Sequence, residues 1–260
     1  MEKSSYIKNN DGLKLSCILS TPEKKTNKCV ILCHGITSDK NEEGIFKKLA
    51  DALVLSGYSV MRFDFRAHGG SEGDGLNLTL SGEVSDLKSI IDFLKKDYLE
   101  FAVITASFGT APVSLYAFQN NVIKALVLWS PVLNFIEFFE PSTAWFKKYF
   151  GKIAEENIKE NGYTEVGSRR FKISENFFKE LKNSDNPFEN LMKLNIPILF
   201  VHGDKDRYVS YDDSVKYSKM TKGSELKTIK EGGHVFHESD DHAKEAIEAS
   251  IEFLFRNFPL

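Results

Sequence analysis

One stretch constrains the fold more than any other, because in it a buried strand runs directly into a helix at a serine. Residues 103–108 read Val-Ile-Thr-Ala-Ser-Phe, and Gly109 follows. The apolar residues before Ser107 are typical of a strand buried on both faces. Pro112 suits the first turn of a helix, where a missing N–H costs little. Such a turn would lift the Ser107 hydroxyl clear of the backbone, beside the N–H groups and positive dipole of the helix N-terminus.

The rest of the chain alternates between predicted strands and predicted helices. Residues 4–20 indicate two short strands that turn at Asp11-Gly12. Further strands are predicted at 29–33, 58–65, 103–106, 124–129, 196–201 and 225–230, and helices at 42–56, 79–97, 210–220 and 240–256, with one more after Gly109. This alternation indicates a mostly parallel twisted sheet with helices on both faces.

The alternation breaks between residues 131 and 186. This segment is rich in aromatic side chains: Phe135, Phe138, Phe139, Trp145, Phe146, Tyr149, Phe150, Phe171, Phe177 and Phe178. A solvated loop would not expose so many rings, so we expect them to pack on the core, on each other or around a ligand. The prediction is a core domain of residues 1–130 and 187–260 with an inserted cap of residues 131–186.

Composition excludes several classes of protein. The chain has 260 residues, a net charge of −3 and no basic cluster, which argues against nucleic acid as a partner. Three cysteines imply no disulfide framework, and the polar start MEKSSYIKNNDG lacks the apolar region of a signal peptide. No apolar run is long enough to span a membrane. We expect a cytoplasmic, reduced protein without a metal or cofactor; its oligomeric state, including a homodimer, stays open.

Three segments together resemble the α/β-hydrolase superfamily. Ser107 and Gly109 match the end of its Gly-x-Ser-x-Gly motif, with Thr105 in place of the first glycine. The loop His202-Gly-Asp-Lys-Asp206-Arg-Tyr-Val resembles the family's acid loop, and Gly-Gly-His234 matches the position of its base. The resemblance implies the α/β-hydrolase fold and the catalytic residues Ser107, Asp206 and His234, in the family's chain order. Asp204 and His237 are the alternatives for the acid and the base.

The same resemblance implies where an oxyanion would bind. One N–H donor is expected from Phe108, the residue after the serine, and the other from Ile36, which follows a His-Gly pair after a buried strand. Other polar side chains are expected to be structural. His34, Arg66 and His68 would brace loops, His202 would open the acid loop, His242 would be solvated at a helix end, and Ser210 would cap a helix with Asp213.

Within the superfamily, the chain looks most like the feruloyl and cinnamoyl esterases. The resemblance rests on His-Gly-Ile-Thr-Ser at 34–38, on Arg-Phe-Asp-Phe at 62–65 and on the insertion. It implies a serine carboxylesterase that forms an acyl-enzyme on Ser107 and hydrolyses a small apolar or aromatic ester. A thioesterase, monoacylglycerol lipase or peptidase would use the same residues. A non-catalytic binding protein on a hydrolase scaffold is a further alternative, for which Thr105 is the support.

Overall fold

The computed structural model describes residues 1–135, 151–166 and 170–260, and a central sheet organises them. The described strands are β1 (Glu2–Lys8), β2 (Lys14–Ser20), β3 (Lys28–Cys33), β4 (Ser59–Phe63), β5 (Glu100–Ala106), β6 (Ile123–Trp129), β7 (Tyr163–Val166), β8 (Phe171–Ser174), β9 (Ile198–Gly203) and β10 (Ser224–Ile229). Eight of them form one sheet in the order β1-β2-β4-β3-β5-β6-β9-β10. From β4 to β10 all neighbours are parallel, while β1 and β2 add an antiparallel edge. The predicted mostly parallel sheet is confirmed.

Helices follow the strands much as the sequence predicts. Those in the described ranges are α1 (Ile45–Leu55), α2 (Leu80–Leu94), α3 (Thr110–Gln119), α4 (Gly151–Asn161), α5 (Glu175–Asn183), α6 (Pro187–Leu191), α7 (Tyr211–Met220) and α8 (Asp240–Asn257). The prediction that the first helix starts at residue 42 is wrong. Glu42 and Glu43 have φ values of 43° and 52°, and this left-handed backbone cannot continue a right-handed helix. None of these helices is long and apolar enough to cross a membrane.

The strands bury both faces, which explains their continuous apolar sequences. In β5, Phe101 and Val103 pack against α2 and α3, while Ala102 and Ile104 pack against α1 and α8. This alternation follows from the pleat, which turns successive side chains to opposite faces. The three cysteines are free and buried in the same layers, and burial raises the pKa of the Cys17 thiol to about 12.

The described parts of the insertion contact the sheet domain at several points. Strands β7 and β8 form a separate antiparallel pair. In α5, the Glu180 carboxylate accepts the N–H groups of Leu80 at 2.6 Å and Ser81 at 3.0 Å, and therefore caps the N-terminus of α2. Phe135 and Phe177 are buried with Phe108 in one apolar cluster.

The prediction that the aromatic side chains of the insertion are packed can be checked only for the residues that the structure describes. The boundaries of the insertion, residues 131–186, stay a prediction. Most of the predicted rings lie outside the described residues: Phe138, Phe139, Trp145, Phe146, Tyr149 and Phe150.

Candidate active site

Ser107 lies at a sharp turn between β5 and α3. Its φ is 51°, in the left-handed region that residues other than glycine rarely adopt, and a short 3₁₀ turn of Ser107–Gly109 leads into the helix. Such a conformation costs on the order of 1–3 kcal/mol, and it is found where the surroundings enforce it, often at functional sites. Ser107 is 6% exposed and lines a cavity of about 550 Å³. The predicted strand–serine–helix turn is therefore present.

Two residues around the serine explain how the helix packs so close to the sheet. A Cβ atom on Gly109 would lie 2.4 Å from the His34 carbonyl oxygen and 2.6 Å from that of Cys33, so a side chain there would collide with backbone. Thr105 is fully buried, and its Oγ1 lies 2.9 Å from Oγ1 of Thr110, the first residue of α3. The threonine at the family's glycine position therefore fits, because its hydroxyl pairs with the helix it approaches.

The acid loop positions one carboxylate against one histidine. Asp206 Oδ2 lies 2.7 Å from His234 Nδ1 and 3.0 Å from His202 Nε2. Its other oxygen, Oδ1, accepts the backbone N–H groups of Tyr208 at 2.8 Å and Val209 at 3.0 Å. Four groups of the described chain thus hold this carboxylate in one orientation.

The alternative acid faces elsewhere. Asp204 Oδ1 accepts the N–H of Glu231 at 2.7 Å, and so braces the turn before the histidine loop. Of the two candidates, the structure brings Asp206 to His234.

The pKa values of Asp206 and His234 are shifted in opposite directions by their mutual charge interaction. Burial alone would raise the pKa of the Asp206 carboxyl, but the charge of His234 and hydrogen bonds from both histidines lower it below its ordinary value. Burial would lower the pKa of His234, yet the charge and hydrogen bond of Asp206 raise it. The carboxylate therefore favours a positively charged imidazole, which a base needs once it has accepted a proton.

The other histidines have different surroundings. His202 donates from Nε2 to Asp206, and its Nδ1 accepts the Ser214 hydroxyl at 2.7 Å, so this predicted structural histidine also holds the acid. His237, the alternative base, lies with Nε2 3.9 Å from Glu42 Oε1, and burial lowers its pKa. His242 pairs with Glu238 at 3.5 Å beside the start of α8.

The loop after β3 is held on both sides of Ile36. Glu42 Oε2 accepts the N–H of Gly35 at 2.7 Å, and His68 Nε2 accepts the N–H of Thr37 at 3.3 Å. His34, predicted to brace a loop, donates from Nδ1 to the Gly35 carbonyl and accepts the Phe65 N–H at Nε2. The peptides that flank the Ile36 N–H are thus fixed by side chains.

Arg66 and Ser130 brace the site from further away. Arg66 binds Asp86 of α2 through Nε at 3.0 Å and Nη2 at 2.8 Å, which agrees with its predicted structural role. Ser130, at the end of β6, accepts the N–H of Val235 at 3.1 Å and so fixes the residue after His234. Sequence reasoning missed Ser130, since a serine after a strand carries no distinctive signal.

A cavity of about 550 Å³ joins these loops. Its described lining includes Ile36, Ser107 and His234, and charged side chains surround them: Glu42, Glu43, Lys205, Arg207, Glu231 and Glu238. The described wall is thus more polar than the apolar pocket expected from the insertion's rings. In the ranges that the structure describes, no cluster of His, Cys, Asp and Glu could hold a metal ion.

Comparisons with known proteins show which proteins this chain resembles. The chain is 26% identical over 218 residues to a monoacylglycerol lipase of Mycolicibacterium smegmatis, which covers 76% of this chain and 77% of that protein. The structure of Est1E of Butyrivibrio proteoclasticus with ferulic acid bound superposes with a TM-score of 0.78 at 26% identity, over 98% of this chain and 100% of Est1E. The esterase Pf2001 of Pyrococcus furiosus shares the fold, with a TM-score of 0.74 at 24% identity over 98% and 92% of the two chains.

A family match places the chain among these hydrolases. The family described as Hydrolase_4, serine aminopeptidase S33, matches residues 24–175, which is more than half of the chain. The eight-stranded sheet and its structural neighbours have the α/β-hydrolase fold. The chain therefore belongs to the Hydrolase_4 (S33) family and is a hydrolase of the α/β-hydrolase, esterase-like type.

Proposed function

We propose that this protein is a serine carboxylesterase in which Ser107, His234 and Asp206 form the catalytic triad. The observation that supports this most is the 2.7 Å contact between His234 Nδ1 and Asp206, in a cavity that Ser107 also lines. With the Nδ1 proton directed at the carboxylate, the neutral imidazole has its accepting lone pair on Nε2. His234 is then in the tautomer that a general base for serine requires.

The reaction follows from these assignments. Ser107 Oγ attacks the ester carbonyl carbon while His234 Nε2 takes the hydroxyl proton, and the carbonyl oxygen becomes an oxyanion. The C–O bond to the alcohol then breaks, and His234 returns the proton to the leaving alkoxide. Water, deprotonated by His234, attacks the acyl-enzyme in the same way and releases the acid and free Ser107.

We assign the oxyanion contacts to the N–H groups of Ile36 and Phe108. Phe108 follows the serine at the start of the helical turn, where the helix dipole favours negative charge. Glu42 and His68 bind the N–H groups of Gly35 and Thr37, on either side of Ile36. This arrangement supports the assignment, because oxyanion stabilisation needs donors whose direction is fixed before the reaction.

For the substrate, we propose a small ester with an apolar or aromatic acyl group. Support comes from Tyr208, which lines the cavity with its ring centroid 5.6 Å from that of His234. It also comes from the likeness to Est1E, whose structure holds bound ferulic acid. A monoacylglycerol is the second candidate, favoured by the charged side chains on the described wall of the cavity and by the likeness to a monoacylglycerol lipase.

The nucleophile is tested with a fluorophosphonate probe and mass spectrometry of the labelled peptide. The protein should be labelled once, at Ser107, and Ser107→Ala should lose both labelling and turnover while its circular dichroism stays unchanged. Ser114→Ala is the matched control, because Ser114 is a buried serine of α3 whose hydroxyl donates to the Ala111 carbonyl at 2.9 Å. Labelling of any other serine would sink the assignment, and no labelling at all would favour the binding-protein alternative.

The substrate class is tested by comparing kcat/KM for methyl acetate, methyl ferulate, a monoacylglycerol and an acyl thioester. We expect methyl ferulate to exceed the acetate, because an aromatic acyl group gains apolar contact that acetate cannot make. A higher kcat/KM for the monoacylglycerol or the thioester would identify that compound as the substrate class in place of the aromatic ester. The proposed triad would not be affected.

A further inference from the structure

Glu42 is a buried carboxyl group for which the triad has no use. It is 5% exposed, on the turn between the Ile36 loop and α1. Its backbone has a φ of 43°, and Thr37 and Glu43 on the same segment have 66° and 52°. Left-handed residues of this kind persist where the surrounding structure enforces them, so contacts with the rest of the fold hold this turn in place. This turn places the Glu42 side chain in the cavity that Ser107 and His234 also line.

A hydrogen bond of Glu42 connects this turn to the loop that carries Ile36. Oε2 accepts the Gly35 N–H at 2.7 Å, the shorter of the two side-chain bonds that flank Ile36. Gly35 itself lies directly against the nucleophile, since a Cβ atom built on it would be 3.1 Å from Ser107 Cβ. Glu42 holds the N–H of Gly35, and His34 holds its carbonyl at 2.8 Å, so the two side chains together fix the direction of the next N–H, that of Ile36.

The second oxygen of Glu42 faces the histidine loop. Oε1 lies 3.9 Å from His237 Nε2, and Glu42, His234 and His237 line the same cavity. Charged neighbours come from two elements, Glu43 on the same turn and Glu238 on the histidine loop. The negative charge of Glu42 therefore acts on His234 in addition to that of Asp206.

We propose that Glu42 is a positioning residue of the esterase site, in which Oε2 aligns the Ile36 N–H with the oxyanion and the carboxylate charge supports the imidazolium of His234. This inference rests on the proposed function. Glu42 touches no reacting atom, and its two effects are separable. The first needs only an accepting oxygen, whereas the second needs a negative charge.

The pKa of Glu42 supports the second effect. Burial raises it from 4.5 to about 7, although the Gly35 N–H and His234 act in the opposite direction. The group therefore gains its charge in the pH range where an esterase with a histidine base becomes active. In the wild type, the acidic limb of the pH–rate profile then reports Glu42 and His234 together.

Two substitutions separate the effects, measured on p-nitrophenyl acetate. Glu42→Gln keeps an accepting oxygen and loses the charge, so kcat on the alkaline plateau should stay within about threefold, while the acidic limb moves to lower pH because the pKa of His234 falls. Glu42→Leu loses the acceptor too, and its plateau kcat should fall by about tenfold to a hundredfold, since one oxyanion donor supplies up to 10²–10³. KM should change little in both.

Fluorophosphonate labelling separates this inference from the proposed function. Labelling of the wild type at Ser107 supports the esterase whatever the Glu42 variants do, and its absence would overturn the esterase and this inference with it. An equal plateau in the wild type and Glu42→Leu would overturn the acceptor effect, as would an equal loss in both folded variants. If Glu42→Leu does not fold, Glu42→Gln decides alone, and an acidic limb that stays in place overturns the charge effect.

Discussion

Asp206 and Glu42 are buried carboxyl groups of the candidate site, yet their pKa values are shifted in opposite directions. Asp206 receives four described hydrogen bonds, two from histidines and two from backbone N–H groups, and its pKa is lowered. Glu42 receives one close N–H and has one more distant histidine, and burial raises its pKa to about 7. At Asp206 the charge of His234 and the hydrogen bonds from two histidines outweigh burial, whereas at Glu42 burial outweighs one backbone N–H and a weaker influence of His234.

The two loops also differ in how they are built. The hydrogen bonds to the Asp206 carboxylate come from one short segment, residues 202–209, and from His234. The loop around Ile36 depends on distant side chains, Glu42 and His68. Phe171 of the insertion stacks on His68, with ring centroids 4.4 Å apart. The acid side is therefore locally determined, while the oxyanion side depends on the wider fold.

The largest expected effect comes from breaking the acid side. Asp206→Asn should lower kcat/KM by about 10⁴-fold, because the imidazole loses the partner that sets its tautomer and balances its charge. Asp204→Asn is the matched control, since its amide oxygen can still accept the Glu231 N–H, and it should lose less than about tenfold. Steady-state kinetics on p-nitrophenyl acetate measures both. The reverse ranking would transfer the acid to Asp204.

The second prediction concerns stability on the oxyanion side. The pKa of Glu42 is about 7 in the folded state against an ordinary value of 4.5, so the folded state binds the proton more tightly. Its contribution to stability is therefore complete below pH 4.5 and is lost as the pH rises through 7. Glu42→Gln removes this loss. The free energy of unfolding of Glu42→Gln minus that of the wild type should therefore be about 2–3 kcal/mol larger at pH 8 than at pH 5.

Urea unfolding of both proteins at the two pH values measures this difference, and groups common to both cancel. A difference that does not change with pH would show that Glu42 is already ionised in the folded protein at pH 5. The contrast with Asp206 would then be wrong.

A third prediction removes one donor from Asp206. His202→Phe should lower the free energy of unfolding at pH 7 by about 2 kcal/mol, the size of a hydrogen bond to a charged group. Without this donor, the pKa of Asp206 would lie closer to its ordinary value. The charged carboxylate would then contribute less stability above its ordinary pKa, and less would be lost as the pH falls. Ser214→Ala, which removes the other partner of His202, should cost less. Equal losses in the two variants would mean that packing dominates.

The smallest effect is expected at Thr105. Thr105→Val keeps the shape but leaves the Thr110 hydroxyl buried without its partner, at a cost of about 1 kcal/mol, whereas the double variant with Thr110→Val should recover part of that cost because no hydroxyl is then left unpaired. Thermal unfolding measures both. Thr105→Gly should not raise kcat/KM more than about tenfold, since the observed hydrogen bond shows no obstruction at the turn. A much larger gain would show that Thr105 impairs the site.

Local sequence was enough to determine the layered fold and the loops that carry the site. Continuous apolar runs such as 29–33 can only be strands buried on both faces, and crossover helices then force a parallel sheet whose carboxyl ends meet at one edge. Ser107, Asp206 and His234 follow such strands, so their loops could be assigned to that edge from the sequence. Ser107, His234 and the Ile36 loop line the cavity that the structure shows, and Asp206 binds His234 there.

Tertiary structure alone decided the contacts between distant segments. Glu42 and Glu43 are identical neighbours in sequence and fit the polar start of a helix, yet the first is buried against Gly35 and the second is exposed. Asp204 and Asp206 differ in the same way, since one binds Glu231 and the other His234. Sequence periodicity predicts which face of an element is apolar. The charge and partners of a buried polar group depend on which distant donors the finished fold brings to it.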